Sequence, residues 1–361
     1  MDVKKNILIM STLLLALCAI LDRAPAAEVY EFYNGARQMA MGGASIGVVN
    51  DETALLSNPA GLGKLRNAFG TILDPEIDLG SNAYTFYKDS AYSNPFDLTQ
   101  VKNTTDANRD KYFHARAQVF PSFVVRNFGI GIFAKNAMDA RMNTAGTAMT
   151  THYVDDIALV LGINLRLFDG ILKIGGAARG ISRIIIDKDI DPLGSLDKSA
   201  NASEGTGVGI DGGVILSAPV AWLPSISAVV RDSGGTKFTS GGARLTTTTR
   251  PADVEQDIDV AFSVFPIHAN RARSSFTIEY QKIKEAAAAT SKTRYYHVGY
   301  EFNYADMIFF RAGMNQIYWT AGLELATEHT QVQLTSYGED VGPDGSPEED
   351  RRYVIKFALR F

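Results

Sequence analysis

The chain ends in Arg-Tyr-Val-Ile-Lys-Phe-Ala-Leu-Arg-Phe, residues 352–361. Large apolar side chains occupy every second position of this decapeptide: Tyr353, Ile355, Phe357, Leu359 and Phe361. Three of the intervening positions carry a positive charge, at Arg352, Lys356 and Arg360. Because successive side chains of a β-strand point to opposite faces, this period of two predicts a strand with one apolar and one charged face.

The same alternation recurs upstream, from about residue 112 onward. It is clearest in the segments 151–167, 257–266, 274–283 and 293–303, where apolar or aromatic residues alternate with Asp, Glu, Asn, Ser or Arg. An amphipathic helix would instead repeat its apolar residues every three or four positions. The pattern therefore predicts an all-β chain.

The links between the predicted strands alternate in length. Short links fall near 127–128, 168–170, 304–306 and 327–329, and moderately short ones at 218–224 and 267–273. Mostly longer links lie between them, near 89–111, 139–150, 188–206, 232–256, 284–292 and 339–350, with 315–317 as the exception. Outer-membrane barrels have short periplasmic turns and longer external loops. Residues 67–361 are therefore predicted to form a membrane-spanning antiparallel β-barrel of about 14 strands with both ends periplasmic.

One stretch of the predicted barrel allows two interpretations. Residues 67–88 could be one kinked strand, or a hairpin around Pro75 and Gly80. After the N-terminal region, no segment offers the run of about 18 apolar residues that a spanning helix needs. A closed barrel is then the only membrane-spanning structure open to the chain.

Residues 1–26 are predicted to be a cleaved signal peptide. Two lysines precede the apolar stretch 7–21, and Ala24-Pro25-Ala26 has the small residues of a cleavage site. A membrane anchor is the alternative, but the apolar stretch is short for a spanning helix. Lipoprotein processing at Cys18 is a further alternative, although Leu17 is bulky for it. Cleavage removes the only cysteine, so no disulfide, thiolate nucleophile or cysteine metal site is expected.

The chemistry of catalysis and of nucleic-acid binding is not indicated. The formal charge is −5, the mean hydropathy is −0.04, and no run of Lys or Arg forms a basic face. The five histidines lack metal-binding spacing, and no G-x-S-x-G motif occurs. Residues 207–212 fit G-x-G-x-x-G, but they lie within an alternating strand, where the glycines mark a bend or a close approach of the plug. No catalytic residue, metal or cofactor is predicted.

Charges of both signs fall on the inward face if the registers are read correctly. The predicted cations are Arg116, Arg166, Arg179, Arg183, Arg311 and Lys356. The predicted anions are Asp211, Asp257, Asp259, Glu279, Glu301 and Glu324. Such a mixture favours mutually paired charges in a polar lumen bridged to a plug. An ion-selective pore is the alternative, but it would normally show one dominant sign.

The segment 27–66 differs from the rest of the chain. It is rich in Gly, Ala and Asn, lacks alternation, and contains Gly42-Gly43 and residues 58–61, Asn-Pro-Ala-Gly. Glycine and proline at this density break both helices and strands. We therefore predict that the segment folds as a hatch, or plug, inside the barrel lumen.

Residues 34–44, Asn-Gly-Ala-Arg-Gln-Met-Ala-Met-Gly-Gly-Ala, and 50–62, Asn-Asp-Glu-Thr-Ala-Leu-Leu-Ser-Asn-Pro-Ala-Gly-Leu, resemble the start of the FadL-like superfamily. That group includes transporters of long-chain fatty acids and other hydrophobic compounds, and the PorV-type barrels of secretion systems. The resemblance implies hatch positions at Gly35, Arg37, Gly42, Gly43, Asn58, Pro59, Ala60, Gly61 and Leu62. The alternating last strand ending in Phe361 also resembles the signal that outer-membrane barrels present to their insertion machinery.

The resemblance implies passive transport of hydrophobic compounds across the outer membrane of a Gram-negative bacterium. The ligand would lodge in an apolar pocket beside the hatch and leave when the hatch shifts. The chain is shorter than the fatty-acid transporters of the group, which favours a second function, a PorV-like interaction barrel. A diffusive porin is a third. The expected partners are outer-membrane lipids, a hydrophobic small molecule, the barrel-insertion machinery and, for the second function, secretion-system proteins, but no nucleic acid.

Overall fold

The structure is a computed structural model that describes residues 28, 30–90, 93–241, 244–245, 247–289, 292–342 and 347–361. The predicted signal peptide, residues 1–26, lies outside the described residues. Among the described residues, no helix is long and apolar enough to cross a bilayer.

The described residues form a closed antiparallel barrel of fourteen strands, which confirms the predicted fold class. The strands are β1 (Phe69–Leu73 and Glu76–Gly80), β2 (Phe113–Val119 and Ser122–Val125), β3 (Phe128–Met142), β4 (Met149–Leu167), β5 (Leu172–Ile190), β6 (Ser203–Ser217), β7 (Ser225–Arg231 and Phe238–Ser240), β8 (Asp257–Val264 and Ile267–Ala269), β9 (Ala272–Tyr280), β10 (Tyr296–Tyr304), β11 (Ile308–Asn315), β12 (Tyr318–Ala326), β13 (Thr330–Asp340) and β14 (Glu349–Arg360). Each strand pairs with its neighbours in sequence, and β14 pairs with β1 to close the barrel.

Proline interrupts three strands without opening the sheet. Pro75 breaks β1, Pro121 breaks β2 and Pro266 breaks β8, because proline has no N–H to donate to the ladder. The carbonyl groups of all three prolines still accept a hydrogen bond from a neighbouring strand, which is β14 for Pro75, β3 for Pro121 and β9 for Pro266. Asp74 accepts the N–H of Phe120 through its side chain. Residues 69–80 are thus one kinked strand, the first of the two interpretations of 67–88.

The links alternate in length as predicted. We call the end at which Phe361 lies the base, and the opposite end the mouth. The links at the base are short, such as the two residues between β2 and β3, whereas those at the mouth include α3 (Ala83–Ser90), α4 (Leu98–Ala107), α5 (Lys198–Asn201) and α6 (Ile283–Ala288). The wall is uneven in height: β4 and β5 have 19 residues each, whereas β11 has 8.

The outer surface carries an apolar belt. On β4, exposed aliphatic side chains occupy every second position: Ile157, Leu159, Leu161, Ile163, Leu165 and Leu167. At a rise of about 3.3 Å per residue and a tilt of about 40°, these eleven positions cover roughly 25 Å along the barrel axis. That height equals the apolar band of an outer-membrane barrel.

Above the belt, the outer face of the tall wall is covered by the links at the mouth. Phe86 of α3 and Leu98 and Val101 of α4 pack on outward-facing residues of β2 to β5, among them Met138 and Tyr153. These side chains are almost fully buried, so the apolar surface that continues past the belt does not reach solvent.

We expect Leu161→Arg, in the middle of the belt, to lower the free energy of unfolding by about 2–4 kcal/mol, because it places a charge at the bilayer midplane. Denaturant titration of the barrel refolded in lipid vesicles measures the change. Leu193→Arg is the control, since Leu193 is 92% exposed in the link between β5 and β6 and its replacement should cost less than about 0.5 kcal/mol. Equal losses for the two variants would contradict a membrane-facing belt.

Candidate functional site

Residues 30–66, which we call the inner segment, lie inside the barrel. They contain α1 (Ala36–Ala40), α2 (Ala54–Ser57) and a 3-10 helix, Pro59–Lys64. α1 contacts β11 to β14, whereas α2 contacts β3 and β4, and the 3-10 helix contacts β4, β5 and β6. The segment therefore spans the lumen and touches opposite walls.

Gly42 and Gly43 seat the segment against β10 and β11. Both have positive φ, +68° and +82°, a conformation that suits glycine. A Cβ on Gly42 would lie 2.5 Å from backbone atoms of Met314. The wall also has a glycine at this contact, Gly313 of β11. A Cβ there would lie 2.6 Å from the backbone nitrogen of Gly42. Two backbones approach each other directly at this contact.

Asn58, Pro59 and Ala60 press against a second group of wall glycines. The Asn58 side chain donates to the Ile46 carbonyl at 2.9 Å and accepts the Ala60 N–H at 3.0 Å, which caps the 3-10 helix. A Cβ on Gly175 of β5 would lie 2.3 Å from the Pro59 carbonyl carbon, and one on Gly213 would lie 2.0 Å from the Asn58 side-chain oxygen.

The remaining predicted hatch positions are also enclosed. Gly61 packs against Val49, and Leu62 is fully buried, while the N–H of Asn127 at the base donates to the Leu62 carbonyl. Gly35 precedes α1, where a Cβ would collide with the Tyr33 hydroxyl. The structure thus brings all nine predicted positions into the lumen, and their role as a hatch stays a prediction.

Arg37 joins the two halves of the inner segment to the wall. Its guanidinium bonds Asp51 at 2.7 Å and Asn50 at 2.8 Å within the segment. It also makes two bonds to the Glu301 carboxylate of β10, at 3.0 and 3.1 Å. Glu301 in turn pairs with Arg311 at 2.7 Å. A single side chain therefore holds both the fold of the segment and its position.

The acidic pair that follows Asn50 is fixed by the same kind of contact. Burial alone would raise the pKa of Asp51, but the Arg37 guanidinium outweighs it and holds that pKa below its ordinary value. Glu52 is fully buried and accepts a bond from Arg360 of β14 at 2.6 Å. Sequence reasoning did not single out Asp51, Glu52 or Arg360 as site residues, although the first two lie within the motif.

Side chains of the wall also bond the main chain of the inner segment. Four of these bonds go to carbonyls of α1 and the turn after it: Thr335 to Ala36 at 2.9 Å, Thr320 to Ala40 at 3.0 Å, His297 to Gly42 at 2.8 Å and Gln281 to Gly43 at 3.0 Å. These carbonyls belong to α1 and the turn after it, where a short helix leaves its last acceptors unused. The wall therefore supplies the missing partners.

The predicted inward charges are mostly where they were expected. Nine are buried inside the barrel: Arg116, Arg179, Arg311, Lys356, Asp211, Asp259, Glu279, Glu301 and Glu324. Arg183 and Asp257 are partly buried, whereas Arg166, near the base end of β4, is exposed. The last strand also has its predicted faces, with Tyr353, Ile355, Phe357 and Phe361 exposed and Leu359 half-buried.

A cavity of about 570 Å³ lies on the mouth side of the inner segment. Residues 28 and 30–34 run along it. The side chain of Lys135 donates to the carbonyls of Glu31 and Phe32 at 2.8 Å each, and the Tyr30 ring stacks on His152 with centroids 3.4 Å apart. The chain entering the inner segment thus occupies part of the space that a ligand would use.

The lining of this cavity differs from the expected apolar pocket. Phe32, Val154 and Ile181 contribute apolar surface, but charged side chains surround them. Most cations pair with carboxylates: Arg116 with Asp78, Arg179 with Asp211 and Asp232, Arg183 with Asp156, and Arg231 with Asp259. Asn58 to Leu62 are instead packed against the wall and do not line it. A ligand in this cavity would meet paired charges beside apolar side chains.

The G-x-G-x-x-G stretch lies within β6, as predicted, but its glycines have other neighbours than the plug. Gly207 and Gly209 lie under Lys237 and Thr236, and a Cβ on Gly212 would meet no atom within 4 Å. The close approach of the inner segment falls on the next residue, Gly213. Among the described residues, no group of three His, Cys, Asp or Glu side chains could hold a metal ion.

No family model matches the chain, and no curated protein matches it in sequence. Solved structures share its fold. The monoaromatic hydrocarbon channel CymD has a TM-score of 0.56 at 10% identity, covering 91% of this chain and 97% of that chain. The deltaS2 mutant of TodX, a protein of Pseudomonas putida also described as a monoaromatic hydrocarbon channel, has a TM-score of 0.56 at 13% identity, covering 91% and 99%. The similarity implied by the N-terminal motif is thus confirmed at the level of the fold.

We expect Gly175→Ala to destabilise the barrel by about 1–3 kcal/mol, because the added Cβ meets the Pro59 carbonyl and displaces the inner segment. Gly180→Ala on the same strand is the matched control, since its Cβ meets no atom within 4 Å. Denaturant unfolding and limited proteolysis of the inner segment measure both. Similar behaviour of the two variants would contradict the close contact.

Arg37→Met should weaken the hold on the inner segment by roughly 3 kcal/mol, because it removes the cation that pairs with the partly buried Asp51 and with the buried Glu301. The expected results are a lower unfolding midpoint and higher conductance in planar bilayers. Arg273→Met removes a cation whose partner, Asp306, is exposed, so it should cost less than about 1 kcal/mol. An Arg37 variant that matches this control in both measurements would refute the role of Arg37 as a clamp.

Proposed function

We propose that this chain is an outer-membrane β-barrel for passive transport of hydrophobic compounds, with the inner segment as its hatch. The observation that carries the proposal is the inner segment itself. It spans the lumen between a cavity at the mouth and the base, and it is held to the wall by glycine contacts, hydrogen bonds, ion pairs and apolar packing. A barrel that served only as a membrane anchor would have no need of such a closure.

The contacts suggest how the hatch would open. Asn58 to Ala60 meet the wall at glycines, and carbonyl groups of α1 and of the turn after it accept hydrogen bonds from Thr335, Thr320 and His297. Such contacts can break without a rearrangement of the wall. The ion pairs of Arg37 set the free-energy cost of moving the hatch. A ligand would favour the open state by as much as it binds that state better than the closed one. No nucleotide is needed for passive uptake.

The ligand would enter from the mouth, which we assign to the external side. The cavity has a volume in the range usual for small-molecule sites. CymD and TodX are described as monoaromatic hydrocarbon channels, and we extend hydrophobic transport to this chain as a proposal. Long-chain fatty acids are the finer assignment, and a lining in which charged side chains surround Phe32, Val154 and Ile181 suits a compound that combines an apolar body with a polar group.

The proposed location is the outer membrane of a Gram-negative bacterium, reached by export with a cleaved signal peptide. The apolar belt supports contact with outer-membrane lipids, and the base, with its short links, would face the periplasm. Phe361 is 68% exposed at the end of β14. Phe361 is thus accessible to the barrel-insertion machinery. We propose that this machinery recognises the alternating apolar face of β14.

The alternative function is a PorV-like structural or interaction barrel of a secretion system. The charged, ion-paired lining of the cavity favours it, because such a surface offers little to a purely apolar ligand. Co-purification of exported proteins or secretion components with the barrel, and loss of exported proteins on deletion, would favour this alternative over transport.

Uptake through a reversibly fixed hatch tests the transport proposal. A Cβ on Gly322 would lie 2.5 Å from the Cβ of Ala40, so Ala40→Cys with Gly322→Cys should form a disulfide after a small shift. In proteoliposomes, uptake of labelled alkane and labelled fatty acid should fall about tenfold or more when the pair is oxidised and recover on reduction. Each single-cysteine variant is a control. Absence of uptake by the unmodified protein, or uptake that ignores the cross-link, would reject the proposal.

A further inference from the structure

Four basic side chains lie together around the base, beneath the inner segment. Lys64 is the last residue of the 3-10 helix, Arg126 lies in the link between β2 and β3, and Arg166 and Lys173 face each other across β4 and β5. A Cβ on Gly63 would lie 3.1 Å from the Lys173 side chain, which places Lys173 beside the 3-10 helix. We call these four residues the basal cluster.

The basal cluster differs from the cations of the cavity in having no acidic partners. Lys64 donates to the Gly47 carbonyl at 2.6 Å, Lys173 to the Gly170 carbonyl, and Arg126 to the Leu65 carbonyl at 3.1 Å. Among the described residues, none of the four forms an ion pair with a carboxylate. Each lysine uses one of three N–H donors in these bonds, so donors remain for a ligand.

The charges of the cluster also act on one another. Burial, and then the nearby cations Lys173 and Arg37, lower the pKa of Lys64 to about 7, and the carboxylate of Glu279 offsets part of this effect. An opposite charge placed among them would relieve this repulsion. Asp169 is the one acidic residue in the two links that flank the cluster, and it is exposed.

The cluster opens toward the lumen side of the wall and not toward the bilayer. Lys173 is 7% exposed and faces inward, whereas its neighbour Ile174 faces outward and is 44% exposed. Lys64 belongs to the inner segment itself. Lipid headgroups around the barrel therefore lie on the other side of the wall from both lysines, and a compound leaving the lumen would pass them directly.

Apolar contacts between the inner segment and the wall, which we call the seam, lie between the cavity and the basal cluster. Leu55 and Leu62 of the inner segment pack on Phe133 and Val160 of the wall. A Cβ on Gly162 would lie 2.4 Å from Leu55 and 3.2 Å from Leu62. If the inner segment moved away here, it would leave a strip of wall that carries a glycine and apolar side chains and that ends at the cations.

We propose that the basal cluster is an anion-binding exit site, which takes the carboxylate of an amphipathic compound whose apolar part follows the seam between the inner segment and β3 to β5. The proposal rests on the transport function and adds to it a route and a charge. The ligand leaves at the base between hatch and wall, and a monoanion with an apolar tail is held there by charge-assisted hydrogen bonds from Lys64 and Lys173.

Binding of a charged probe and its uncharged twin tests this site. The full-length protein in phosphatidylcholine nanodiscs is titrated with dansyl-labelled undecanoate and with its methyl ester, followed by dansyl fluorescence. The unmodified protein should bind the carboxylate about tenfold or more tightly than the ester. Lys64→Gln with Lys173→Gln should abolish this preference and leave ester binding unchanged. Lys64→Arg with Lys173→Arg should keep the preference, because both charges remain.

Arg273→Gln, also at the base but from an ion-paired arginine, is the matched control and should behave as the unmodified protein. A double Gln variant that keeps the carboxylate preference, or that loses both probes equally, overturns the proposal. Nanodiscs with added phosphatidylglycerol give a further test. Loss of the carboxylate preference in them would mean that a lipid headgroup occupies the basal cluster, and this result would also overturn the proposal. These titrations do not depend on uptake, so a failure of the transport proposal is seen separately in the proteoliposomes.

Discussion

In hydrocarbon, every peptide N–H and C=O must find its partner within the protein, and the rest of this structure follows from that demand. It requires the pairing of β14 with β1, since an open sheet would leave two unpaired edges. It also explains why the proline breaks are tolerated. Each proline lacks a donor, but its carbonyl still accepts a hydrogen bond from a neighbouring strand, and the Asp74 side chain accepts the N–H of Phe120.

Closure of the barrel creates a lumen that is lined by polar side chains, and here the side chains, not the backbone groups, need partners. Inward side chains of both signs would be costly if left unpaired there. Carboxylates and guanidinium groups accordingly form pairs across neighbouring strands, and Arg37 draws the inner segment into the same network through Glu301. The inner segment is too short and too rich in glycine for a core of its own. It is therefore stabilised by the wall, through glycine contacts on β5, β6 and β11 and through hydrogen bonds to its free carbonyls.

The fold could be predicted from the sequence because its signals are local. Alternation gives the faces of β14 and β4, and link length gives the two ends and the strand count. The motif at 34–62 indicated a segment inside the lumen. The partners of that segment could not be predicted, because they are distant in sequence: Glu301 lies 264 residues from Arg37. The glycines of the wall can be read from the sequence. No local feature, however, distinguishes Gly213, whose added Cβ would contact Asn58, from Gly212, whose added Cβ would contact no atom within 4 Å. The charged cavity was missed for the same reason, since its lining comes from many strands.

The uneven height of the wall has a consequence for the membrane around it. At a tilt of about 40°, the eight residues of β11 cover only about 18 Å along the barrel axis, whereas the belt on β4 covers about 25 Å. Lipids beside β9 to β12 then face a hydrophobic mismatch, which a bilayer relieves by becoming thinner there. Thinning draws the two leaflets closer together on one flank of the barrel. The bilayer around the protein is therefore thinner beside β9 to β12 than beside β4.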